Sequence, residues 1–289
     1  MYRNTRQRPS GSSFLRPAGQ QPRKKKITKP VGSVFAVIGI ACIVSLLLHF
    51  TKEPDTTSKA VVSQASNSKP STVSTPTNSV PAGFNKSEHS TTDPASIWII
   101  VNKQHPLSPK TYQPKDLVIP NIPLRSNITG DERQLRSEPA KALEAMAHAA
   151  ASEGITINQQ SGYRSYNFQV NLYNSYVKQQ GQAAADRSSA RPGYSEHQSG
   201  LAVDVGGTSQ PACNVSACFS NTSEGKWVTA NAYKYGFIIR YTATQESVTG
   251  YEYEPWHLRY VGTGLAGEMH QRGIETLEQY FGVSGGTKY

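Results

Sequence analysis

The stretch SEHQSGLAVD, residues 195–204, decides how the chain folds around its polar residues. From Leu201 onward apolar and other residues alternate, so Asp204 points away from the apolar face of a strand. Gly200 lets the chain turn before this strand. That turn is needed because His197 and Asp204, seven residues apart, would lie on opposite faces of a continuous strand. The stretch therefore predicts a turn carrying an imidazole, followed by a strand carrying a carboxylate.

A second stretch, EPWHLRYVG at residues 254–262, carries another imidazole and another carboxylate. Glu254 and His257 are three residues apart, which in a regular strand places them on opposite faces. Pro255 lies between them, removes one donor from the strand ladder and favours a bend. Such a bend would turn both side chains towards one metal ion.

These stretches together offer a metal two imidazole nitrogens and one carboxylate, from His197, His257 and Asp204. This borderline ligand set suits Zn²⁺, with the fourth position left to water. Three protein ligands, and not four, are typical of a catalytic zinc site.

Two further residues are candidates for catalysis. Glu254 is close enough in sequence to His257 to serve as the general base for the attacking water and to pass its proton to the leaving amine. Arg164, in SGYRS at residues 161–165, is a permanent cation. Its guanidinium would either polarise the scissile carbonyl or hold a substrate carboxylate, and the residues leave both roles open.

The combination of these motifs with SGYRSYNFQ resembles the D-alanyl-D-alanine carboxypeptidase family of vancomycin-resistance type, metallopeptidases related to hedgehog and to phage endolysin peptidases. The motifs S-x-H-x-x-G-x-A-x-D and E-x-W-H are specific, and the similarity spans about Trp98 to Phe281, including VNKQHPL. The resemblance implies an α+β domain of the hedgehog/DD-peptidase type, with a central antiparallel sheet flanked by helices.

The resemblance also implies roles for individual residues. It makes His197, Asp204 and His257 the ligands of one Zn²⁺, Glu254 the catalytic base, and Arg164 the group that faces the carbonyl or oxyanion. Two more residues match substrate-contacting positions, Gln169 and Ser195. From the residues alone, Gln169 is also compatible with the polar face of its helix, and Ser195 with a helix cap near His197.

The activity implied by the resemblance is D,D-carboxypeptidase hydrolysis of the terminal peptide bond in peptidoglycan stem peptides, which releases D-alanine. Rival activities are an L,D-carboxypeptidase acting on tetrapeptide stems and a peptidoglycan endopeptidase, since pocket shape decides among them. A non-catalytic cell-wall-binding module is a further alternative. Glu254 argues against such a module, because a structural metal site needs no base three residues from a ligand.

Periodicity adds a coarse secondary structure. The mixture of elements is α+β, without the regular alternation of a doubly wound sheet. The predicted helices are Pro139–Ala151, Tyr166–Gln180 and Ala266–Phe281, and the predicted strands are Ile97–Val101, Ile155–Ile157, Gly200–Val205 and Gly236–Tyr241.

Two of the three cysteines, Cys213 and Cys218, flank four residues of a polar stretch. Outside the cytoplasm, cysteines so close together most simply form a disulfide that closes a short loop. A second metal site is the alternative, although no further ligand residues lie nearby in the sequence.

The first 95 residues have a different composition. Residues 1–30 form a basic tail, and residues 31–50, VGSVFAVIGIACIVSLLLHF, hold no charge over about the 30 Å of a bilayer core. We predict a transmembrane helix with its N-terminus in the cytoplasm, because the basic residues precede it. A cleaved signal peptide is the alternative, but no small-x-small site closely follows.

Residues 51–95 are rich in Ser, Thr, Asn and Pro and predict a disordered linker. Residues 96–289 then form the catalytic domain. The sequence thus predicts a single-pass protein of a bacterial membrane with an extracytoplasmic catalytic domain. Its predicted partners are stem peptides and the cytoplasmic membrane, and no protein partner is inferred.

The formal charge of +10 does not indicate nucleic-acid binding. Residues 1–50 hold nine Lys and Arg and no Asp or Glu, which leaves 21 basic against 20 acidic residues in the remainder. A groove for a phosphate backbone would need excess positive charge within the folded domain itself.

Overall fold

The protein, as a computed structural model, is described over residues 84–289. Its central sheet has four antiparallel strands in the order β3-β4-β6-β5, and a second sheet pairs β1 with β2. The strands are β1 Leu117–Val118, β2 Leu135–Arg136, β3 Ile157–Ser161, β4 Ala202–Gly207, β5 Phe237–Tyr241 and β6 Glu254–Tyr260.

Seven α-helices surround the sheets within the described residues, joined by loops and short 3-10 turns. The predicted α+β class is confirmed, since antiparallel sheets are flanked by helices. The helices are α1 Ser137–Ser152, α2 Tyr166–Gln180, α3 Gln182–Ser188, α4 Ser223–Asn231, α5 Glu246–Thr249, α6 Thr263–Arg272 and α7 Leu277–Phe281.

The main hydrophobic core lies between α1 and the central sheet. Helix α1 forms because its sequence is rich in alanine and places apolar side chains at helical spacing, with Leu143, Met146 and Ala150 fully buried. These side chains share one core cluster with Val203 of β4 and Leu258 of β6. Burial of each large aliphatic side chain stabilises the fold by about 2 kcal/mol, so the two strands that carry the polar site are firmly held.

The predicted strand Ile97–Val101 is wrong, because none of these residues lies in a strand of the structure. Their side chains do alternate: Ile99 belongs to the main core, whereas Trp98 and Ile100 belong to a second cluster with α6 and α7. The carbonyls of Ile97 and Ile99 accept hydrogen bonds from the side chain of Arg259, at 3.0 and 2.7 Å. An arginine therefore occupies the place that a neighbouring strand would take.

The helix prediction Tyr166–Gln180 is confirmed residue for residue, and Pro139–Ala151 lies within α1. The predicted closing helix Ala266–Phe281 is wrong in its continuity. It is two helices, α6 and α7, because the chain leaves α6 through Gly273 at a φ of +62°.

The strand predictions near β4 and β5 are confirmed with shifts of one or two residues. The strand predicted at Ile155–Ile157 starts instead at Ile157 and continues to Ser161. The polar residues 158–160 lie outside the predicted strand, yet Gln159 is buried and donates from Nε2 to the Glu132 carbonyl at 2.7 Å. Hydrogen bonds to other segments therefore stabilise this strand, although its sequence lacks an alternating apolar pattern.

The linker prediction is wrong for residues 84–95. Phe84 packs on Trp98 and Tyr280, with ring centroids 5.5 and 6.1 Å away, and Lys86 donates to the Tyr280 carbonyl at 2.9 Å. The folded domain therefore includes residues that sequence composition assigned to the tether.

The predicted cytoplasmic tail, the transmembrane helix at residues 31–50 and the rest of the linker lie outside the described residues. Among residues 84–289, none of the helices has both the length and the apolar character needed to cross a bilayer. The membrane anchor stays a prediction.

Cys213 and Cys218 form a disulfide, with their Cα atoms 5.2 Å apart. The loop that it closes is tied to the end of β4, because the Asn214 side chain accepts from the amide of Gly207 at 2.9 Å and donates to its carbonyl at 3.1 Å. The crosslink therefore fixes a loop against the strand that carries Asp204.

We predict that Gly200→Ala destabilises the protein more than Gly273→Ala. Both glycines have positive φ, +71° and +62°, so both substitutions incur similar backbone strain. A Cβ at Gly200 would lie 2.8 Å from Cγ of Arg136, whereas one at Gly273 meets no atom within 4 Å. The extra crowding should cost about 1–3 kcal/mol in urea unfolding. Equal losses would contradict the prediction, because they would mean that the surroundings of Gly200 relax to accept a methyl group.

Candidate metal centre

His197 reaches the site from a tight turn. The 3-10 turn Glu196–Ser199 ends at Gly200 in the left-handed region, and β4 begins two residues later. The imidazole is buried, and its Nδ1 lies 2.7 Å from the carbonyl oxygen of Gly162, to which it donates. This hydrogen bond fixes the tautomer, so Nε2 is the nitrogen with a free lone pair.

Asp204 and His257 are brought together by strand register. In the antiparallel pairing of β4 with β6 they stand directly opposite each other. Residues paired in this way share one face of the sheet, with Cβ atoms about 5 Å apart. Oδ1 of Asp204 lies 3.3 Å from Nδ1 of His257 and 3.3 Å from Nε2 of His197.

The bend predicted at Pro255 occurs as an irregularity in the pairing of β5 with β6. Tyr241 pairs with Glu254 while Ile239 pairs with Leu258, so β6 advances four residues where β5 advances two. The extra residues rotate the strand within this segment. As a result Oε2 of Glu254 lies 3.5 Å from Nδ1 of His257.

The three predicted ligands fit a zinc ion. One donor atom from each of His197, Asp204 and His257 lies within 4.8 Å of the other two. Ligand atoms about 2.0–2.1 Å from a tetrahedral Zn²⁺ lie about 3.3–3.4 Å apart, which matches the two distances to Asp204. Nε2 of His197 and Oδ1 of Asp204 are buried and have no hydrogen-bond partner among residues 84–289. A cation there would satisfy both atoms.

Two of the three candidate ligands, His197 and Asp204, are already deprotonated at neutral pH, as metal binding requires. Burial, with the Arg164 guanidinium nearby, lowers the pKa of His197 to about 4, so this imidazole is neutral. Burial alone would raise the pKa of Asp204, but the two histidines hold it well below its usual range. Burial alone would lower the pKa of His257, yet the carboxylates of Asp204 and Glu196, 3.3 and 3.4 Å from its two ring nitrogens, raise it to about 9. Metal binding at His257 would displace that proton.

Glu254 and Arg164 flank the ligand cluster. Burial raises the pKa of Glu254 to about 7, so this carboxyl can both accept and release a proton near neutrality. Arg164 stands just before α2, and its Nη2 lies 4.0 Å from Oδ2 of Asp204. Its Nε is buried and has no hydrogen-bond partner in the described part of the chain, so it is available to a ligand.

A cavity of about 250 Å³ opens over the cluster and is lined by Arg164, Gln169, Ser195, Glu254 and Trp256 among others. Gln169 is buried, so its position on a solvated polar face is ruled out. Its Nε2 donates to the carbonyl of Ala190 at 2.8 Å, while its Oε1 is buried without a partner in residues 84–289. The hydroxyl of Ser195 makes no capping hydrogen bond, which removes the alternative role of a helix cap.

Sequence reasoning missed Glu196, which occupies a variable position of the motif between Ser195 and His197. Its Oε2 lies 3.4 Å from Nε2 of His257, and its Oε1 accepts from Arg240 at 2.8 Å and from Arg259 at 2.7 Å. The only sequence signal is an acidic residue within a segment that must be buried. Its partners are 44 to 63 residues away, so the local sequence does not identify them.

The charges around Glu196 are almost completely buried. Arg240 also pairs with Glu278, at 2.7 and 2.9 Å, so two arginines and two carboxylates neutralise each other. Burial alone would raise the pKa of Glu196, but the arginines hold it far below its usual range. Removal of one partner from such a cluster leaves a buried charge uncompensated, which is strongly destabilising.

Residues 132–263, which contain the whole cluster, match the family profile "VanY: D-alanyl-D-alanine carboxypeptidase". YodJ of Bacillus subtilis (strain 168) is 45% identical over 189 residues, which cover 65% of this chain and 68% of YodJ. The chain belongs to the VanY family of carboxypeptidases. The resemblance found in the motifs is therefore confirmed, and the protein is an enzyme of the carboxypeptidase class.

Solved structures of the family have the same fold. The LD-carboxypeptidase LdcB is 44% identical, with a TM-score of 0.62, and the match covers 66% of this chain and 89% of LdcB. The vancomycin-resistance D,D-pentapeptidase VanY from a VanB-type cassette, in complex with Zn(II), is 31% identical with a TM-score of 0.52, and 63% and 97% of the two chains are covered.

We predict that Glu196→Gln weakens zinc binding about 10- to 100-fold, because a neutral amide no longer fixes His257 or raises its basicity. Glu278→Gln is the matched control, since it removes a buried carboxylate from Arg240 without touching a ligand. Zinc affinity is measured by competition with a chromophoric chelator, on protein whose circular dichroism shows it to be folded. Equal weakening by both variants would mean that Glu196 acts only through stability.

Proposed function

We propose that the protein is a zinc-dependent carboxypeptidase that removes the terminal D-alanine from peptidoglycan stem peptides. The observation that carries this proposal is the convergence of three donor atoms at tetrahedral zinc spacing, with Glu254 3.5 Å from one of them. The similarity to the LD-carboxypeptidase LdcB and to the D,D-pentapeptidase VanY in complex with Zn(II) supports the substrate class.

Glu254 moves the proton in this reaction. Zinc, when bound, polarises the scissile carbonyl and makes water a stronger acid. The Glu254 carboxylate takes a proton from the attacking water, whose oxygen bonds to the carbonyl carbon. As the C–N bond breaks, Glu254 delivers that proton to the leaving amine, and the burial that raises its pKa favours this return of the proton.

The cavity walls orient the peptide. Arg164 is the only lysine or arginine among the cavity-lining residues that the structure describes, and it stands beside Asp204. Its guanidinium donates to the carbonyl oxygen, where negative charge develops in the transition state. The free Oε1 of Gln169 accepts a substrate N–H, and the Ser195 hydroxyl donates to the terminal carboxylate.

A second candidate differs only in the penultimate residue. A D,D-carboxypeptidase cuts after D-alanine, whereas an L,D-carboxypeptidase cuts after the L-centre of a diamino acid in a tetrapeptide stem. The identity to LdcB, 44%, exceeds the 31% to the D,D-pentapeptidase VanY. This difference favours L,D activity over the D,D activity that the motifs first indicated.

We expect D-alanine release from a purified stem tetrapeptide or pentapeptide, and loss of that release on chelation. The full chain is incubated with each peptide separately, and free alanine is quantified by mass spectrometry before and after a chelator and after zinc is restored. Release from the tetrapeptide alone establishes L,D specificity, and release from the pentapeptide alone establishes D,D specificity. A folded, zinc-loaded protein that cleaves neither peptide would overturn the proposed function.

We predict that Glu254→Gln lowers kcat about 10²- to 10⁴-fold, because the amide cannot accept the proton. Zinc content should stay near one ion per chain, since Glu254 is not one of the three ligands. The control is Glu246→Gln, a carboxylate on the exposed pair with Arg187 that does not line the cavity. Zinc content and peptide turnover are measured in parallel. If Glu254→Gln retained turnover, another group would have to be the base.

A further inference from the structure

The catalytic cavity has two lips that come from distant parts of the chain. One lip is the end of α3 with the loop that follows it, where Ser188, Ser189 and Ala190 line the cavity. The other lip is the segment 251–254 that leads into β6. A peptide bound over the metal must lie between them, so their separation affects how well it binds.

Tyr289 bridges these lips. Its hydroxyl oxygen accepts a hydrogen bond from the backbone N–H of Arg191, next to the first lip, at 2.9 Å. The same oxygen lies 3.2 Å from the hydroxyl of Tyr251 on the second lip. One side-chain oxygen thus joins a backbone donor and a phenol that are 60 residues apart in sequence.

The ring of Tyr289 is held in place by its surroundings. The guanidinium of Arg191 lies 4.2 Å from the ring centroid, and the ring of Tyr194 meets it edge-on at 5.0 Å. Arg191 is itself fixed by a salt bridge to Asp186 at 2.9 Å. The hydroxyl therefore stands on a preorganised ring and not on a free side chain.

Lys103, in the motif VNKQHPL, supports the second lip. Lys103 is 1% exposed, and its ammonium donates to the carbonyl of Gly250. The ammonium also lies over the rings of Tyr251 and Tyr289, at 4.7 and 5.5 Å from their centroids. Burial lowers the pKa of Lys103. The charge contacts the rings of Tyr251 and Tyr289 together, and these contacts offset part of the cost of burying a lysine.

The first lip controls a substrate-facing group. The Ala190 carbonyl, one residue before Arg191, accepts the hydrogen bond that orients the Gln169 amide. A shift of this loop would rotate the free Oε1 of Gln169 inside the cavity. The position of Tyr289 therefore affects the bound peptide through the backbone of Ala190 and the side chain of Gln169.

We infer that Tyr289 is a positioning residue: its hydroxyl holds the two cavity lips at the spacing that binds the stem peptide, without taking part in the chemical step. This inference rests on the proposed function for the identity of the peptide. The contact itself is independent of any activity.

The test is Tyr289→Phe, which keeps the ring and removes only the hydroxyl. We expect KM for the cleaved stem peptide to rise about three- to tenfold, as loss of one or two hydrogen bonds allows, while kcat and zinc content stay within about twofold of the unchanged enzyme. The amide of Arg191 should also exchange faster with deuterium, because its acceptor is gone. Both are measured on the full chain.

Tyr280→Phe is the matched control, because the Tyr280 hydroxyl is buried and has no hydrogen-bond partner within residues 84–289. It should leave KM and the exchange at Arg191 unchanged. An unchanged KM in Tyr289→Phe, or equal changes in both variants, would overturn the inference. If the enzyme cleaves neither peptide, the proposed function fails; faster exchange at Arg191 would then still support the contact, and unchanged exchange would refute it.

Discussion

The pairing of Asp204 with His257 across β4 and β6 is the constraint on which the site depends. A carboxylate and an imidazole opposite each other on one sheet face are held at a distance set by the hydrogen-bonded backbone, not by flexible loops. The strands are in turn fixed by the core beneath them. Only His197 has to be brought to this pair, and the Gly200 turn does so over a few residues.

A layer of buried charge lies next to the three proposed metal ligands. Glu196 connects His257 to Arg240 and Arg259, and Glu278 completes the charge balance on Arg240. Ionic groups at this depth are a weak source of stability, since desolvation opposes their attraction. Their arrangement instead fixes the orientation of the His257 ring, because His257 can form its hydrogen bond to Glu196 in only one orientation.

The sequence predicted which residues converge at the cavity, because each lies in a short motif whose residue types and spacing indicate metal binding. Helix α2 was predicted to the residue, since a full amphipathic period marks it. Contacts between distant segments were beyond reach: Glu196 and Arg240 are 44 residues apart, and Tyr251 and Tyr289 are 38 apart. The prediction of a strand at Ile97–Val101 was wrong for the same reason. Alternation indicates two buried faces, but it does not show that the distant Arg259 hydrogen-bonds to the backbone carbonyls.

The irregular pairing of β6 has an evolutionary consequence. Two additional residues of β6 between Glu254 and Leu258 place Glu254, the proposed base, on the same side of the sheet as Asp204 and His257, two of the proposed metal ligands. A deletion that restored a regular pleat would turn the Glu254 carboxyl to the opposite face of the sheet, while Asp204 and His257 kept their positions. Such a variant would keep the proposed metal ligands and lack the proposed base. A change of strand length alone would then convert the enzyme into an inactive metal-binding protein with an unchanged core.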